Sequence, residues 1–401
     1  MHATARSDSK VLAGVQERFA ASTDLTIGIE EEMQILDPET LELANRFEEF
    51  VAAAPDSLSW HLESELVASE IEFKTRPHAG LAAAAAELAR GRLAVGDLAA
   101  RLGAVVAITG VHPFSPWEEQ RILDTPRYRR LVDELGYVAW INNTWALHLH
   151  CGVRDADRAV KVAARMRDVL PELLALSANS PLLGGRDTAL ASARTQLFIR
   201  NLPRCGISDS FTGWDDYAAY VALLERAGSI QEATELWWSV RPHHSFGTVE
   251  VRICDGQTDL RNSLALCALM VGLIAEFCAE VDEGRPHPIR PRGLIEENLW
   301  RAERHGIEGS LIDLRTGRSR AARQAIGELL ELADARATGL GLSPWLARVA
   351  TILEEGNGAM RQRRLLTERG GDLRAVHAEA VALTRASAVA VLDELGVDGP
   401  S

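Results

Sequence analysis

Residues 26–36, TIGIEEEMQIL, decide the fold, because apolar and polar side chains alternate there with the period of a β-strand. The face opposite the apolar side chains carries Gly28, Glu30, Glu32 and Gln34. The carboxylates of Glu30 and Glu32 point the same way, about 7 Å apart, and repel each other unless water or a cation compensates them. Glu31 points with the apolar set and needs a partner or an edge position. Taken alone, the segment fits an exposed acidic sheet face equally well.

Four further segments alternate in the same way and predict strands, at residues 67–75, 104–110, 145–153 and 247–254. Insertions of unequal length separate them, which favours a mixed or antiparallel sheet over regular βαβ units. No strand is predicted after Asp255.

Helical composition fills the intervening residues 80–102, 156–178 and 260–281. Trp237 and Trp238 also fall on a helix-like segment. Residues 292–395 predict three or four amphipathic helices, with turn signals at Gly339, Gly356 and Gly370-Gly371. The pattern as a whole predicts an α+β fold with a sheet backed by helices and a helical C-terminal third.

Two of the other predicted strands carry polar groups on a single face. Glu250 and Arg252 share a face of the last strand, where a cross-strand ion pair is the simpler explanation. His148 and His150 share a face of the fourth strand, where they can chelate a metal ion or serve as structural histidines.

The segment ESELVASEIEFKT supplies four more acids, Glu63, Glu65, Glu70 and Glu72. Glu65 and Glu72 have opposite parity, so either Glu65 lies in a turn before the strand or only one of the two faces the site. Acid or imidazole groups on four distant segments converge on one sheet face, which is a stronger signal than any segment alone. Oxygen ligands dominate the set and favour Mg²⁺ or Mn²⁺ over zinc.

Arginines are expected to complete such a site by contacting phosphate or substrate. The candidates are Arg186, Arg194, Arg200, Arg204, Arg241 and Arg252. The sequence contains no Walker loop and no GxGxxG motif, so metal ions and side chains would hold any ATP.

The chain has 401 residues, with 57 acidic and 43 basic side chains and a formal charge of −14, which argues against nucleic acid as a partner. The N-terminus lacks the apolar core of a signal peptide, and the apolar run at residues 264–277 is shorter than the ~18–20 residues of a membrane span. Five cysteines without a CxxC motif fit reduced thiols. These features predict a cytoplasmic protein with no membrane partner.

The predicted organisation is a single catalytic domain at residues 25–385, since no linker composition and no repeat divides the chain. Residues 1–24 form an N-terminal extension that could be disordered, and residues 386–401 form a C-terminal tail. A homo-oligomer is compatible with the sequence, although no feature of it points to one.

Five stretches in order resemble the glutamate-cysteine ligase type 2 family, also called carboxylate-amine ligases. The first is TIGIEEEMQILDPET, and ELVASEIEFKT and TGVHPFSPWEEQRILDTPRYRRL follow it. The fourth is ALHLHCGV with LLALSANSPLLGGRDTALASARTQ, and the fifth is RPHHSFGTVEVRICDGQTDL. The similarity spans about residues 25–383, nearly the whole chain.

The resemblance implies an ATP-dependent ligase with a curved, largely antiparallel sheet, related to the glutamine synthetase and guanidino kinase folds, that holds Mg²⁺ on its concave face. Carried over by position, the implied metal ligands are Glu30, Glu32, Glu65, Glu72, His150 and Glu250. Arg194 and Arg252 resemble residues that face substrate or phosphate, and Arg241 joins them as a nucleotide-binding candidate. Where many relatives read SQ, this chain has Ser69-Glu70, which adds a negative charge beside the site.

The reaction so implied activates a carboxylate, the γ-carboxylate of glutamate, as an acyl phosphate, and an amine such as cysteine then displaces phosphate to give a γ-glutamyl amide. An alternative is a metal-dependent hydrolase that uses no nucleotide; its ligands would come from His112, His148, His150, His243, His244 and Asp255. A third hypothesis is a binding or regulatory protein that kept the scaffold and lost turnover.

Overall fold

The structure is a computed structural model that describes residues 9–399, and its centre is a seven-stranded sheet. The strands are β1 (Ile27–Leu36), β2 (Leu62–Glu63), β3 (Glu70–Lys74), β4 (Val105–Ala107), β5 (Ala146–Gly152), β6 (Val240–His243) and β7 (Thr248–Asp255). Their order is β6-β7-β5-β1-β3-β2, and β4 also pairs with β1. Every pairing in this sheet is antiparallel. The predicted α+β class with a largely antiparallel sheet is confirmed.

Helices surround the sheet and build most of the last third of the chain. They are Val15–Ala21, Phe47–Ala53, Asp56–Ser59, Leu81–Arg101, Pro126–Leu135, Tyr137–Ile141, Ala156–Met166, Leu170–Ser177, Ala193–Phe198, Trp214–Arg226, Leu260–Asp282, Arg292–His305, Ala322–Leu340, Ser343–Glu355, Gly358–Glu368 and Leu373–Leu395. Short 3₁₀ turns lie at Trp117–Glu119, Arg167–Val169, Ala233–Glu235 and Gly306–Glu308.

Helix Leu81–Arg101 shows how sequence and packing agree. Its alanine-rich sequence favours a helix and lets the backbone approach the sheet closely. A Cβ atom on Gly91 would lie 2.2 Å from the ring of Phe73, so only glycine fits between the helix and β3. The opposite side of the helix packs against Leu373–Leu395.

Glu31, on the apolar face of β1, has the partner that its position requires. The Arg92 guanidinium donates from Nε to Glu31 Oε2 at 2.7 Å and from Nη2 to Oε1 at 2.6 Å. The Ser263 hydroxyl donates to the same Oε1 at 2.6 Å. Arg92 also donates to the carbonyl oxygens of Gln257 and Thr258. Both charged side chains are fully buried, so this network joins β1 to two core helices.

Three local predictions are wrong. A hairpin of Ser310–Ile312 with Ser319–Ala321 forms after Asp255, where no strand was predicted, because three-residue strands are too short to show a period. Five helices, not three or four, follow residue 292. Gly339 lies inside Ala322–Leu340, and the helix ends instead at Gly341, whose φ of 66° suits glycine.

The tryptophan pair was also misassigned, since Trp237–Trp238 is a short strand that pairs in parallel with Cys205–Gly206. Another two-stranded pair joins Leu182–Leu183 to Arg186–Asp187. Two predicted strands are shorter than expected. The strand predicted at residues 67–75 covers only Glu70–Lys74, and the one predicted at 104–110 covers only Val105–Ala107.

The chain ends differ from the predicted extension and tail. Residues 1–8 lie outside the described residues, but Val15 and Phe19 of Val15–Ala21 are buried in the core, so residues 9–24 are ordered against it. The boundary at residue 385 falls inside Leu373–Leu395, which buries Ala388 and Val391. Residues 386–395 are therefore part of a packed helix and not a tail.

Two helices are long and apolar enough to cross a membrane by length and composition alone, namely Leu260–Asp282 and Leu373–Leu395. The first extends beyond the apolar run at residues 264–277. Of its most apolar window, 83% is buried inside the protein, which is the position of a core helix.

Candidate active site

A cavity of ≈ 670 Å³ opens over the polar face of the sheet. The side chains of β1, β3, β5 and β7 form its floor, and helix Pro126–Leu135 and the segment before β6 contribute to its walls. All six implied metal ligands and three of the six candidate arginines line it: Glu30, Glu32, Glu65, Glu72, His150, Glu250, Arg194, Arg241 and Arg252.

Strand register places Glu30 between two histidines. β1 pairs with β5 so that Glu30 lies opposite His148 and Gly28 opposite His150. Glu30 Oε2 is 3.2 Å from His148 Nδ1, and Oε1 is 3.2 Å from His150 Nε2. Burial acts to raise the pKa of Glu30, but His150 and His148 outweigh it and hold that pKa well below its ordinary value.

The two histidines differ in charge preference. Burial lowers the pKa of His148, and the charge of Arg252 lowers it further. Burial also opposes the charged form of His150, but Glu30 and Glu250 raise its pKa above the ordinary value. His150 Nδ1 lies 2.9 Å from the Thr248 hydroxyl oxygen, which orients the ring with Nε2 toward Glu30.

Glu250 lies opposite His150 across the β5–β7 pairing and is held by two arginines. Arg241 donates from Nε to Glu250 Oε2 at 2.5 Å, and Arg252 donates from Nη1 to Oε1 at 2.6 Å. Burial acts to raise the pKa of Glu250, but Arg241 and Arg252 hold it well below the ordinary value. The cross-strand ion pair that the sequence predicted is present, between Glu250 and Arg241. His150 Nε2 lies 3.9 Å from Glu250 Oε1.

A second group of carboxyls, Glu32, Glu65, Glu70 and Glu72, lies at the other side of the cavity. Glu72 is opposite Glu32 across β1 and β3, and Glu65 lies in the loop before β3, which resolves its parity. Burial and then the neighbouring charge of Glu32 raise the pKa of Glu65 to about 8. The same two causes raise the pKa of Glu70 well above its usual range. Burial and then the charge of Glu30 raise the pKa of Glu72 well above its usual range.

Burial and like-charged neighbours both disfavour the ionised forms of Glu65, Glu70 and Glu72, and their protein neighbours supply too little positive charge to offset this. Protons or cations must make up the difference.

Three groups of side chains have the geometry of cation sites. They are Glu30 with His150 and Glu250, Glu30 with Glu72 and His148, and Glu32 with Glu65 and Glu72. In each, the candidate ligand atoms all lie within 4.8 Å of one another. Buried His148 Nε2 has no hydrogen-bond partner among the described residues. Carboxylate oxygens with one imidazole suit Mg²⁺ or Mn²⁺, so the residues fit the predicted ions.

The predicted arginines divide into two groups. Arg241 and Arg252 bind Glu250, whereas Arg194 donates to the carbonyl oxygens of Ile253 and Arg252 and lies 3.9 Å from Asp255. Arg194 thereby braces the end of β7 at the cavity wall. The other three candidates, Arg186, Arg200 and Arg204, do not line the cavity.

The residues of the hydrolase hypothesis do not all lie in one site, because His148, His150 and His243 line the cavity whereas His112, His244 and Asp255 bind other groups. His112 donates from Nε2 to the Leu41 carbonyl oxygen at 2.8 Å and packs edge-on against His377. His244 bonds the Tyr217 hydroxyl. Asp255 accepts hydrogen bonds from the Ser180 and Ser192 hydroxyls and the Asn179 backbone N–H.

Sequence reasoning missed part of the cavity. His148 joins a cation group although only His150 was assigned as a ligand, and the shared parity of the two histidines was the available signal. Arg127, Tyr128 and Trp237 also line the cavity. They come from a helix and from a two-residue strand, whose position over the sheet no local pattern reveals.

The family model "Glutamate-cysteine ligase family 2 (GCS2)" matches residues 26–382. A protein of Rubrobacter xylanophilus named "Putative glutamate--cysteine ligase 2-3" is 41% identical over 358 residues, 89% of this chain and 96% of that protein. One of Gloeobacter violaceus, "Putative glutamate--cysteine ligase 2", is 38% identical and covers 87% of this chain and 94% of its own length.

Among solved structures, the glutamate–cysteine ligase of Francisella tularensis in complex with AMP has a TM-score of 0.65 at 14% identity, and 93% of each chain is covered. A bifunctional glutathione synthetase from Pasteurella multocida also has a TM-score of 0.65, at 16% identity, over 94% of this chain and 54% of that one. At these identities the likeness concerns the fold alone.

Proposed function

Because the chain belongs to glutamate-cysteine ligase family 2 and is therefore an enzyme that forms carbon–nitrogen bonds, we propose that it joins glutamate through its γ-carboxylate to an amine such as cysteine. The γ-carboxylate attacks the γ-phosphorus of ATP and ADP leaves, which gives an acyl phosphate. The amine then attacks the acyl carbon, phosphate leaves and a γ-glutamyl amide forms.

The observation that carries the proposal is the set of three cation-sized groups on one sheet face. The candidate ligands Glu30, Glu32, Glu65, Glu72, His150 and Glu250 would hold Mg²⁺ or Mn²⁺, with His148 added from the structure. When bound, such ions would supply positive charge beside the ATP phosphates and offset the negative charge that develops during transfer. Without them the acidic floor would repel the nucleotide.

The side chains of the cavity supply orientation and charge. Arg252 and Arg241 hydrogen-bond Glu250 and favour its ionised form, which keeps a negative oxygen ligand in place in the cavity. Arg252 and Arg194 border the same cavity and would contact phosphate or substrate carboxylate. The His150–Thr248 hydrogen bond keeps one imidazole nitrogen directed at the cation group.

The proposed reaction needs no protein nucleophile, and the burial of the cysteines is consistent with this. All five are free and buried. Burial raises the pKa of the Cys205 and Cys254 thiols to about 12, which keeps them protonated. Reduced buried thiols are also typical of a cytoplasmic enzyme, which is the location we propose.

The test is a grid of amino acids and amines with Mg-ATP, in which ADP release is coupled to a reporter and the product is weighed by mass spectrometry. We expect ADP release to require both glutamate and an amine, with one amide per ADP. ATP hydrolysis that is indifferent to both co-substrates would contradict the proposal. The amine that gives the highest kcat/KM identifies the acceptor.

A further inference from the structure

A second polar cavity, of ≈ 290 Å³, lies apart from the catalytic one, among the C-terminal helices and the segment that follows β7. Its lining includes the first turns of helices Leu260–Asp282 and Gly358–Glu368. Four arginines contribute to it, Arg261, Arg348, Arg361 and Arg364, against two carboxylates. In a chain of charge −14, this local excess of positive charge is unusual.

The two carboxylates do not compensate all four arginines. Asp259 pairs with Arg261 at 2.7 Å and lies 3.5 Å from Arg348. Glu355 reaches only Arg348, at 3.9 Å. Arg364 donates to a backbone carbonyl, that of Glu355, which carries no net charge.

Arg361 is the least satisfied of the four. Among residues 9–399, no hydrogen bond or ion pair joins its guanidinium to another group, although the side chain is half-buried. Burial, with the nearby charge of Arg364, lowers its pKa in spite of Asp259 and Glu379. A partly desolvated guanidinium that lacks a protein partner gains free energy when it binds an anion.

The backbone around Arg361 adds to the positive potential. The N-terminal end of the 11-residue helix Gly358–Glu368 borders the cavity, and such ends favour anions. Gly358 lets this end approach closely, because a Cβ atom there would lie 2.1 Å from Asn179 Oδ1. The cavity volume is close to the smallest volume that is typical of small-molecule sites, about 300 Å³.

We propose that this cavity binds a phosphate dianion, either free phosphate or the phosphate group of a small monoester, with Arg361 and Arg364 as its main contacts. Two uncompensated guanidiniums match a dianion in charge, and the arginine fork matches phosphate oxygens in geometry. The site does not depend on the ligase reaction, since none of its arginines lines the catalytic cavity.

The test measures binding to the full chain without ATP, metal or amino acids, by calorimetry and by thermal shift at constant ionic strength. Sodium phosphate and glycerol 3-phosphate are the two probes, with sodium chloride and glycerol as their controls. The variants are Arg361→Gln, Arg361→Lys and Arg374→Gln. Arg374 is exposed on Leu373–Leu395 outside the cavity, so its variant makes the same charge change elsewhere.

We expect the phosphate probes, and not their controls, to stabilise the wild type and Arg374→Gln alike. Arg361→Gln should weaken binding about tenfold or more, and Arg361→Lys should fall between, because it keeps the charge and loses the fork. Tighter binding of glycerol 3-phosphate than of phosphate would identify an ester as the source. If Arg361→Gln does not fold by circular dichroism, Arg364→Gln takes its place.

Two results would overturn the proposal. Equal binding by the wild type and Arg361→Gln would locate the anion elsewhere, including the arginines of the catalytic cavity. Absence of a response to either phosphate probe would mean that the cavity has no affinity for phosphate. Because no ATP is present in either case, neither result bears on the ligase proposal.

Discussion

Glutamate side chains have different partners on the two faces of β1. On the core face, Glu31 accepts two hydrogen bonds from Arg92 and one from Ser263. On the cavity face, Glu30 and Glu32 meet histidines and other carboxyls, and no arginine pairs directly with either among the described residues. Glu31 therefore has an arginine partner within the fold, whereas Glu30 and Glu32 have none.

This difference separates a structural carboxylate from a functional one. A buried carboxylate is stable only when partners replace its lost hydration, as the guanidinium does at Glu31. The cavity face instead concentrates carboxyls, and burial together with mutual repulsion raises the pKa values of Glu65, Glu70 and Glu72. That arrangement costs stability, and a bound cation recovers it.

The largest expected effect tests the core side of the comparison. Glu31→Gln should lower the free energy of unfolding by about 3–5 kcal/mol, because it leaves the Arg92 charge buried and unpaired. Urea unfolding followed by circular dichroism measures it. Glu32→Gln is the matched control on the other face and should cost much less. Equal losses in the two variants would break the distinction between the faces.

The next effect tests the cavity side. Glu30→Gln should lower kcat/KM for the amide-forming reaction on the order of 10²–10³-fold, because the variant removes a candidate ligand shared by two cation groups. Its melting temperature without metal should fall, because the variant also removes the ion pairs of Glu30 with His148 and His150, so activity is measured below that temperature. Full activity in this variant would remove Glu30 from the site.

A smaller effect concerns pH. In the metal-free protein Glu65 keeps its proton up to a pKa of about 8, whereas the unfolded chain loses it near its ordinary value. At Glu65 the folded state therefore binds more protons between these values, so the free energy of unfolding of the wild type relative to that of Glu65→Gln should fall as pH rises from about 5 to 8. Mg²⁺ competes with those protons, so its stabilising thermal shift should be larger at pH 8.5 than at pH 6. A shift that is independent of pH would contradict this.

The smallest effect concerns Glu70, the acid that this chain has beside Ser69. Burial and the charge of Glu32 raise the pKa of Glu70. Glu70→Gln should therefore stabilise the metal-free protein at pH 8 by about 1 kcal/mol, since it removes a repulsive carboxyl. Chemical unfolding with and without Mg²⁺ measures the change. Destabilisation by the variant would show that Glu70 supports the fold.

Much of the site could be predicted from the sequence because strand parity is a local property. The period of two placed Glu30 and Glu32 together, and His148 with His150, before any contact was known. It also required a partner for Glu31, but Arg92 could not be named, because it lies 61 residues away on a helix with no matching signal.

Which side chains of each strand share a face could be read from the order of the amino acids, since alternation follows from backbone geometry. Which strands are neighbours is known only from the folded chain, and with it that Glu30 lies against His148 while Arg241 and Arg252 bind Glu250. The folded chain also shows that four arginines from three helices border one small cavity. Strand order and helix packing depend on long-range burial and hydrogen bonding, which no local pattern contains.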